Sequence, residues 1–194
     1  MTRFILAMTM TSALLWGCAT GRVTTTARTA VEEALLSQSA EQALDQLAVR
    51  NLQGRSFKIV TDDFEATDGK YILSYLSRRL LDLGLHPAPA SQEADVLVHI
   101  GVANAAIDDS SWAIGIPELP LILPGVGGLT LPEVILLGRK IQWGRNRVNI
   151  YGTFARSGEK AFESALLHGE KHYTRWRVLF VLSFHFTDLA EPFK

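Results

Sequence analysis

Residues 114–137 (IGIPELPLILPGVGGLTLPEVILL) constrain the fold more than any other stretch. Their only charges are Glu118 and Glu133, and by count they are long enough to cross a bilayer. Pro117, Pro120, Pro124 and Pro132, with Gly125, Gly127 and Gly128, exclude a continuous spanning helix. The expectation is a Pro/Gly-rich apolar insertion at 114–132, laid as an extended loop over a sheet. Ile116, Pro117, Leu121, Ile122, Leu123 and Pro124 are its candidate interaction surface, toward a protein partner or a second copy, with membrane contact as a third reading. Gly125 to Gly128 are not a phosphate loop, because Leu129, Thr130, Leu131 and Pro132 supply neither the closing Gly-Lys-Ser/Thr nor a following helix.

The rest of the chain supplies the sheet. Phe57 to Thr61 read as a strand, and residues 95–104 (DVLVHIGVAN) as the clearest one, apolar on both faces and so central. Asp108, Asp109, Ser110 and Ser111 are expected to break it. Further strands are expected at about 133–143, 147–155 and 173–187, with Gly144, Arg145 and Asn146 as a turn between the first two. In the last, Trp176, Val178, Phe180, Leu182, Phe184 and Phe186 share one face at period two, which reads as a half-buried strand covered by helices.

Two helices are expected. The first runs from about 28 to 49, capped by Thr25 or Thr26, with Leu36, Ala40, Ala43, Leu44 and Leu47 on its apolar face. The second covers about 69–83 and stops at Gly84 in a left-handed conformation. The fold class is therefore α+β, a mixed, largely antiparallel sheet with two amphipathic helices on one face.

Composition bounds the function. With 47% hydrophobic residues and 19 Lys+Arg against 20 Asp+Glu, the chain is neither disordered nor a phosphate-neutralising nucleic-acid binder. One cysteine excludes an internal disulfide framework and a multi-cysteine zinc site. No cofactor, metal site or catalytic group is read. His168 and His172 read as exposed turn residues, and His99 and His185 as strand residues able to meet across the sheet. Asp62, Asp63, Glu65, Asp108 and Asp109 read as strand-end turn chemistry. Ser37, Ser39 and Ser74 lie in helices without a nucleophile elbow. Arg139 and Lys140, Arg145 and Arg147 beside Trp143, and Arg175 to Arg177 form small basic-aromatic patches. Their arginines read as solvated or packed by their stems, with anionic headgroups or peptidoglycan as the alternative contacts.

The amino terminus carries the most specific signal. Arg3 precedes an uncharged, mostly apolar run at 4–17, too short for a comfortable span and fitted to a secretory signal peptide. Leu15-Trp16-Gly17-Cys18 resembles the bacterial lipobox, with an aliphatic residue three before the cysteine and a small one just before it. Trp16 departs from the usual small or β-branched residue. The resemblance implies that residues 1–17 are removed, that Cys18 is lipidated, and that residues 18–27 form a tether for one periplasmic domain at 28–194. Ala19, where an Asp would retain the protein at the inner membrane, implies the outer membrane. Two or more acyl chains suffice to anchor such a domain stably.

Residues 24–40 (TTTARTAVEEALLSQSA) and the segment near 116–132 resemble an uncharacterised bacterial lipoprotein family, to which no activity is attached. The order strand, helix with Tyr71-Ile72 and Leu80-Leu81, Gly84, then Ala94 to Val98 is similar to the α/β core of periplasmic lipoproteins of the curli-secretion and penicillin-binding-protein-activator type. The paired amphipathic membrane strands of the curli channel are not read here, which argues against a pore. The expected protein is a membrane-anchored lipoprotein acting non-catalytically, as an assembly, scaffold or accessory factor of the envelope. The alternative is a periplasmic enzyme acting on cell-wall or glycan material.

Overall fold

The computed structural model describes residues 28–190 apart from 63, 67 and 124–126. Cys18, its tether and the signal-peptide segment lie outside the described residues. The fold is α+β. Helices α1 (Ala30–Asp45) and α2 (Gly69–Asp82) pack on one face of a mixed sheet. The strands are β1 (Ser56–Val60), β2 (His86–Pro87), β3 (Val96–Ile116), β4 (Leu119–Leu123), β5 (Gly127–Leu131), β6 (Val134–Phe154), β7 (Lys160–Glu163), β8 (Leu167–Val178) and β9 (Leu182–Thr187). Seven of them form one sheet in the order β2-β1-β3-β6-β8-β9, with β7 beside β6, and β4 and β5 form a separate two-stranded sheet. β1 is parallel to β2 and β3, and every other pairing is antiparallel.

The helices follow the apolar periodicity. α1 buries Leu35, Leu36, Ala40, Ala43 and Leu44. It starts later than expected, because Thr29 rather than Thr25 or Thr26 is the N-cap. The Thr29 side chain accepts from Glu32 N–H and Glu32 reaches back to Thr29 N–H, a capping box that satisfies two otherwise unpaired donors. It also ends earlier, at Asp45. α2 buries Ile72, Leu76 and Leu80 and ends as expected on Gly84, whose φ of +88° an L side chain resists. Ala40, Ala43 and Leu44 of α1 and the three α2 residues meet Val96, Val98, Ile100, Val148 and Ile150 of the sheet in one core, while Leu35 packs with Ala34 and Leu189 in a second, smaller cluster.

Three strand expectations are corrected. Asp108 to Ser111 do not break β3, which runs 21 residues to Ile116. Their polarity is met across the strand pair, where Asp108 bonds Arg145 at 2.7 Å and Lys140 pairs with Asp109 at 3.0 Å. Gly144, Arg145 and Asn146 do not turn the chain either, and β6 is also continuous over 21 residues. Gly144 and Asn146 are instead helix-docking residues. A Cβ on Gly144 would collide with the Leu35 carbonyl, and Asn146 donates to Leu36 O at 2.9 Å and Ser39 Oγ at 2.7 Å. Finally, 173–187 is not one strand but the β8–β9 hairpin, turning at residues 179–181.

Candidate functional site

β3 and β6 each extend roughly 70 Å at about 3.3 Å per residue, far longer than the helices can cover. α1 sits on the β6–β8 region, with Glu32 near its start reaching Gln142 at 3.5 Å. Beyond that level β3, β6, β8 and β9 continue as a four-stranded antiparallel extension. A β-bulge between Val102 and Asn104 marks where β3 leaves the core. β1 pairs with β3 only as far as His99, so among the described strands β3 and β9 are open edges of the extension.

The register assigns side chains to faces, because directly opposed residues share one. On the face away from the helices, one rung carries Ile114, Leu137, Val178 and Leu182, and the next carries Trp112, Arg139, Trp176 and Phe184. Ser110, Ile141, Thr174 and Phe186 follow, then Asp108, Trp143 and His172. Ile114, Leu182 and Phe186 are each about 60% exposed, so this apolar and aromatic band is uncovered. The helices lie on the other face, correcting the expectation that they cover Trp176, Phe184 and Phe186. Paired amphipathic strands, not read in the sequence, are thus present.

The band has a polar lower border. Arg145 donates from Nε to Glu170 at 2.8 Å and from Nη1 to Asp108 at 2.7 Å, and lies 5.6 Å from the Trp143 ring. Those bonds, Glu170 first, raise the guanidinium's affinity for its proton further. His172 tilts against Trp143 and pairs with Asp188.

The helix-side face of the same extension is polar or small. Its rungs hold Asp109, Gln142, Tyr173 and Thr187, then Ser111, Lys140, Arg175 and His185, then Ala113, Gly138, Arg177 and Ser183. Leu136 stands beyond them at the far end, exposed.

The β8–β9 tip of the extension is apolar. At the β8–β9 turn, Leu179 and Phe180 adopt φ of +49° and +52°, a region that normally selects Gly or Asn, and Phe180 and Val181 are each 69% exposed. The insertion is corrected from a loop over the sheet to the β4–β5 hairpin, pairing Leu121 with Leu129, Ile122 with Gly128 and Leu123 with Gly127. Ile116 and Pro117 are exposed where the chain leaves β3, and Pro124 lies outside the described residues.

Other candidates separate. His99 stacks on Tyr151 on the open face near the core, while His185 stacks on Tyr173 on the helix-side face of the extension, so they do not meet. His168 and His172 lie on β8 rather than in a turn. Asp62 and Glu65 are exposed after β1, and Asp63 is outside the described residues. The Ser39 hydroxyl bonds Leu35 O and Asn146, which is a packing role. Among the described residues no group of three or more His, Cys, Asp or Glu could hold a metal, and no helix is long and apolar enough to cross a membrane.

A polar cleft of about 460 Å³ lies between α1 and α2. Its groups are tied to one another: Tyr71 donates to Glu41, Tyr75 to Asp45 at 3.0 Å, and Arg79 to the Asp45 carbonyl at 2.8 Å. Partial burial, then the Glu41 bond, pushes the Tyr71 hydroxyl up to about 12. These bonds brace the helices.

Trp112, Arg139 and Trp176, the centre of the band, are candidate surface residues that the sequence did not join into one surface. The period-two spacing of Ser110, Trp112 and Ile114 was available, but the acidic pair before it read as a break. No family model matches the chain, and no curated protein matches it either.

Proposed function

We propose that the chain is a lipid-anchored, non-catalytic assembly protein of the bacterial envelope, held at the outer membrane and facing the periplasm, and that it assembles with copies of itself into a membrane-embedded β-barrel. One observation carries this reading: a four-stranded sheet, apolar on one face and polar on the other, with both edges open. β3, β6, β8 and β9 alternate in direction, so β9 of one copy meets β3 of the next antiparallel. Each copy adds four strands to an up-and-down meander, and head-to-tail contacts of this kind close into rings. Closure removes both exposed edges, which a free chain would leave as aggregation templates. The apolar band then faces lipid and the acyl chains on Cys18 hold each copy at the bilayer.

An enzyme acting on cell-wall or glycan material would have to use the cleft between α1 and α2. There Glu41 and Asp45 are already engaged by the Tyr71 and Tyr75 hydroxyls, which supports a bracing role instead.

The test is the oligomeric state of the full-length protein extracted from membranes in mild detergent. We expect an oligomer that collapses to monomer on boiling when untreated and that chemical crosslinking captures as a ladder, and loss of that ladder in Phe184→Asp/Phe186→Asp. A wild-type protein that is monomeric in membranes and in detergent would refute the barrel. The anchor is tested separately: Cys18→Ser should abolish labelling by a fatty-acid analogue, and labelling that persists removes the lipoprotein reading.

A further inference from the structure

We infer that the helix-side face of the extension lines the barrel lumen and makes it selective for small anions, an inference that rests on the barrel reading above. On this face, at and beyond the Gln142 rung, the described residues place Lys140, Arg175 and Arg177 against one carboxylate, Asp109. Asp109 is taken by Lys140 at 3.0 Å. Arg175 and Arg177 are exposed and have no ion-pair partner among the described residues.

The arrangement is unfavourable in a free chain. Lys140 stands directly opposite Arg175, so one rung sets two cations side by side. Like charges directly opposed on a sheet destabilise it unless something neutralises them. The open face treats its arginines differently: Arg145 is held by two carboxylates and Arg139 lies over the Trp176 ring. Within the extension, the cations that lack both a carboxylate and a ring partner therefore lie on the side that faces inward on closure. The neighbours of these cations, Ser111, Ala113, Gly138 and Ser183, are small and leave room beside them. Repetition around a ring produces stacked belts of positive charge between low-dielectric walls, which raise the local concentration of anions and repel cations.

The experiment reconstitutes the full-length, detergent-extracted oligomer into planar bilayers of zwitterionic phosphatidylcholine, which contribute no anionic headgroups. The reversal potential is read in a tenfold KCl gradient. We expect a potential on the chloride side of zero, a preference reduced several-fold in Arg175→Gln/Arg177→Gln, and inverted in Arg175→Glu/Arg177→Glu. Cation preference or no preference in the wild-type protein would overturn the anion inference and leave the barrel standing. The same holds for a preference unchanged in variants that still assemble. Absence of any conductance from inserted oligomer would overturn the pore and the anion inference together. Should the charge variants fail to assemble, the sign of the wild-type reversal potential still decides.

Discussion

The indole of Trp112 meets that of Trp176 edge to face, with ring centroids 5.9 Å apart, although β6 lies between their strands. Arg139, the β6 residue between them, places its guanidinium 5.5 Å from the Trp176 ring, and its Nε is buried without a hydrogen-bond partner among the described residues. Trp176 stacks in turn on Phe184, and Phe184 meets Phe186 edge-on. An aromatic ribbon thus crosses all four strands with one cation held beneath it. Such belts suit a headgroup boundary, where an apolar ring and a polar tip are both accommodated.

This ribbon makes membrane contact measurable from the native fluorophores. The described tryptophans, Trp112, Trp143 and Trp176, all stand on the open face, and Trp16 belongs to the segment expected to be removed. Transfer of the mature protein from detergent-free buffer to liposomes should shift the emission to the blue, and brominated lipid should quench it. Trp143, beside Arg145 and His172, should be quenched least, as Trp143→Phe will show by leaving the quenched fraction undiminished. Emission indifferent to brominated lipid would place this face outside the membrane.

The β8–β9 turn should trade stability against insertion. Leu179 and Phe180 both sit at positive φ, where an L side chain costs about 1–2 kcal/mol per residue. Leu179→Asn/Phe180→Gly supplies residues that tolerate positive φ at both positions. The variant should resist urea better than the wild type by about 1–3 kcal/mol while binding liposomes more weakly. An equally strong binder would show that the apolar tip has no part in membrane contact.

Local periodicity carried the core and not the extension. α2, β1 and the first half of β3 were legible because their apolar residues repeat at helical or strand spacing against a single buried core. The second half of β3 was hidden because Asp108 and Asp109 satisfy their charges on Arg145 and Lys140, more than thirty residues away. Gly144 and Asn146 looked like turn residues because the backbone of α1 requires a missing side chain at one and an amide donor at the other. The β8–β9 turn carried no turn signature at all, since Leu-Phe-Val occupies it. Ile116 and Pro117 are exposed as the apolar insertion implied, but Trp112, Trp176 and Phe184 could be joined into one surface only by long-range register.

Helix docking through bare backbone yields a packing prediction. A Cβ on Gly169 would overlap the Ser39 carbonyl and approach Ala43 N at 2.8 Å, whereas one on Gly101 would meet nothing closer than Asn149 Oδ1 at 4.0 Å. Gly169→Ala should therefore lift α1 from β8 and destabilise the domain by about 1–3 kcal/mol. With a domain of this size that is a fall of roughly 2–4 °C in Tm per kcal/mol. Gly101→Ala should leave Tm within about a degree or two of wild type. Equal effects from the two substitutions would mean that β propensity, and not contact with α1, sets the cost.

Asp95 ties β1 to the start of β3 and should make stability sensitive to acid. Its Oδ2 accepts from Ser56 N–H and Ser56 Oγ, both at 2.9 Å, while Asp95 N–H donates back to Ser56 Oγ. The backbone donor first, then the hydroxyl, hold the carboxyl below its ordinary value of 3.8. The folded state therefore binds fewer protons than the unfolded chain near that value. The stabilisation is complete above 3.8 and fades as pH falls through the lower, folded value. Asp95→Asn, which keeps one acceptor but cannot ionise, should be less stable than wild type at pH 6, and the difference should shrink as pH is lowered below about 4. Urea midpoints measured for both proteins from pH 6 to pH 2.5 test this. Curves that remain parallel across that range would assign the acid sensitivity of the domain to other carboxylates.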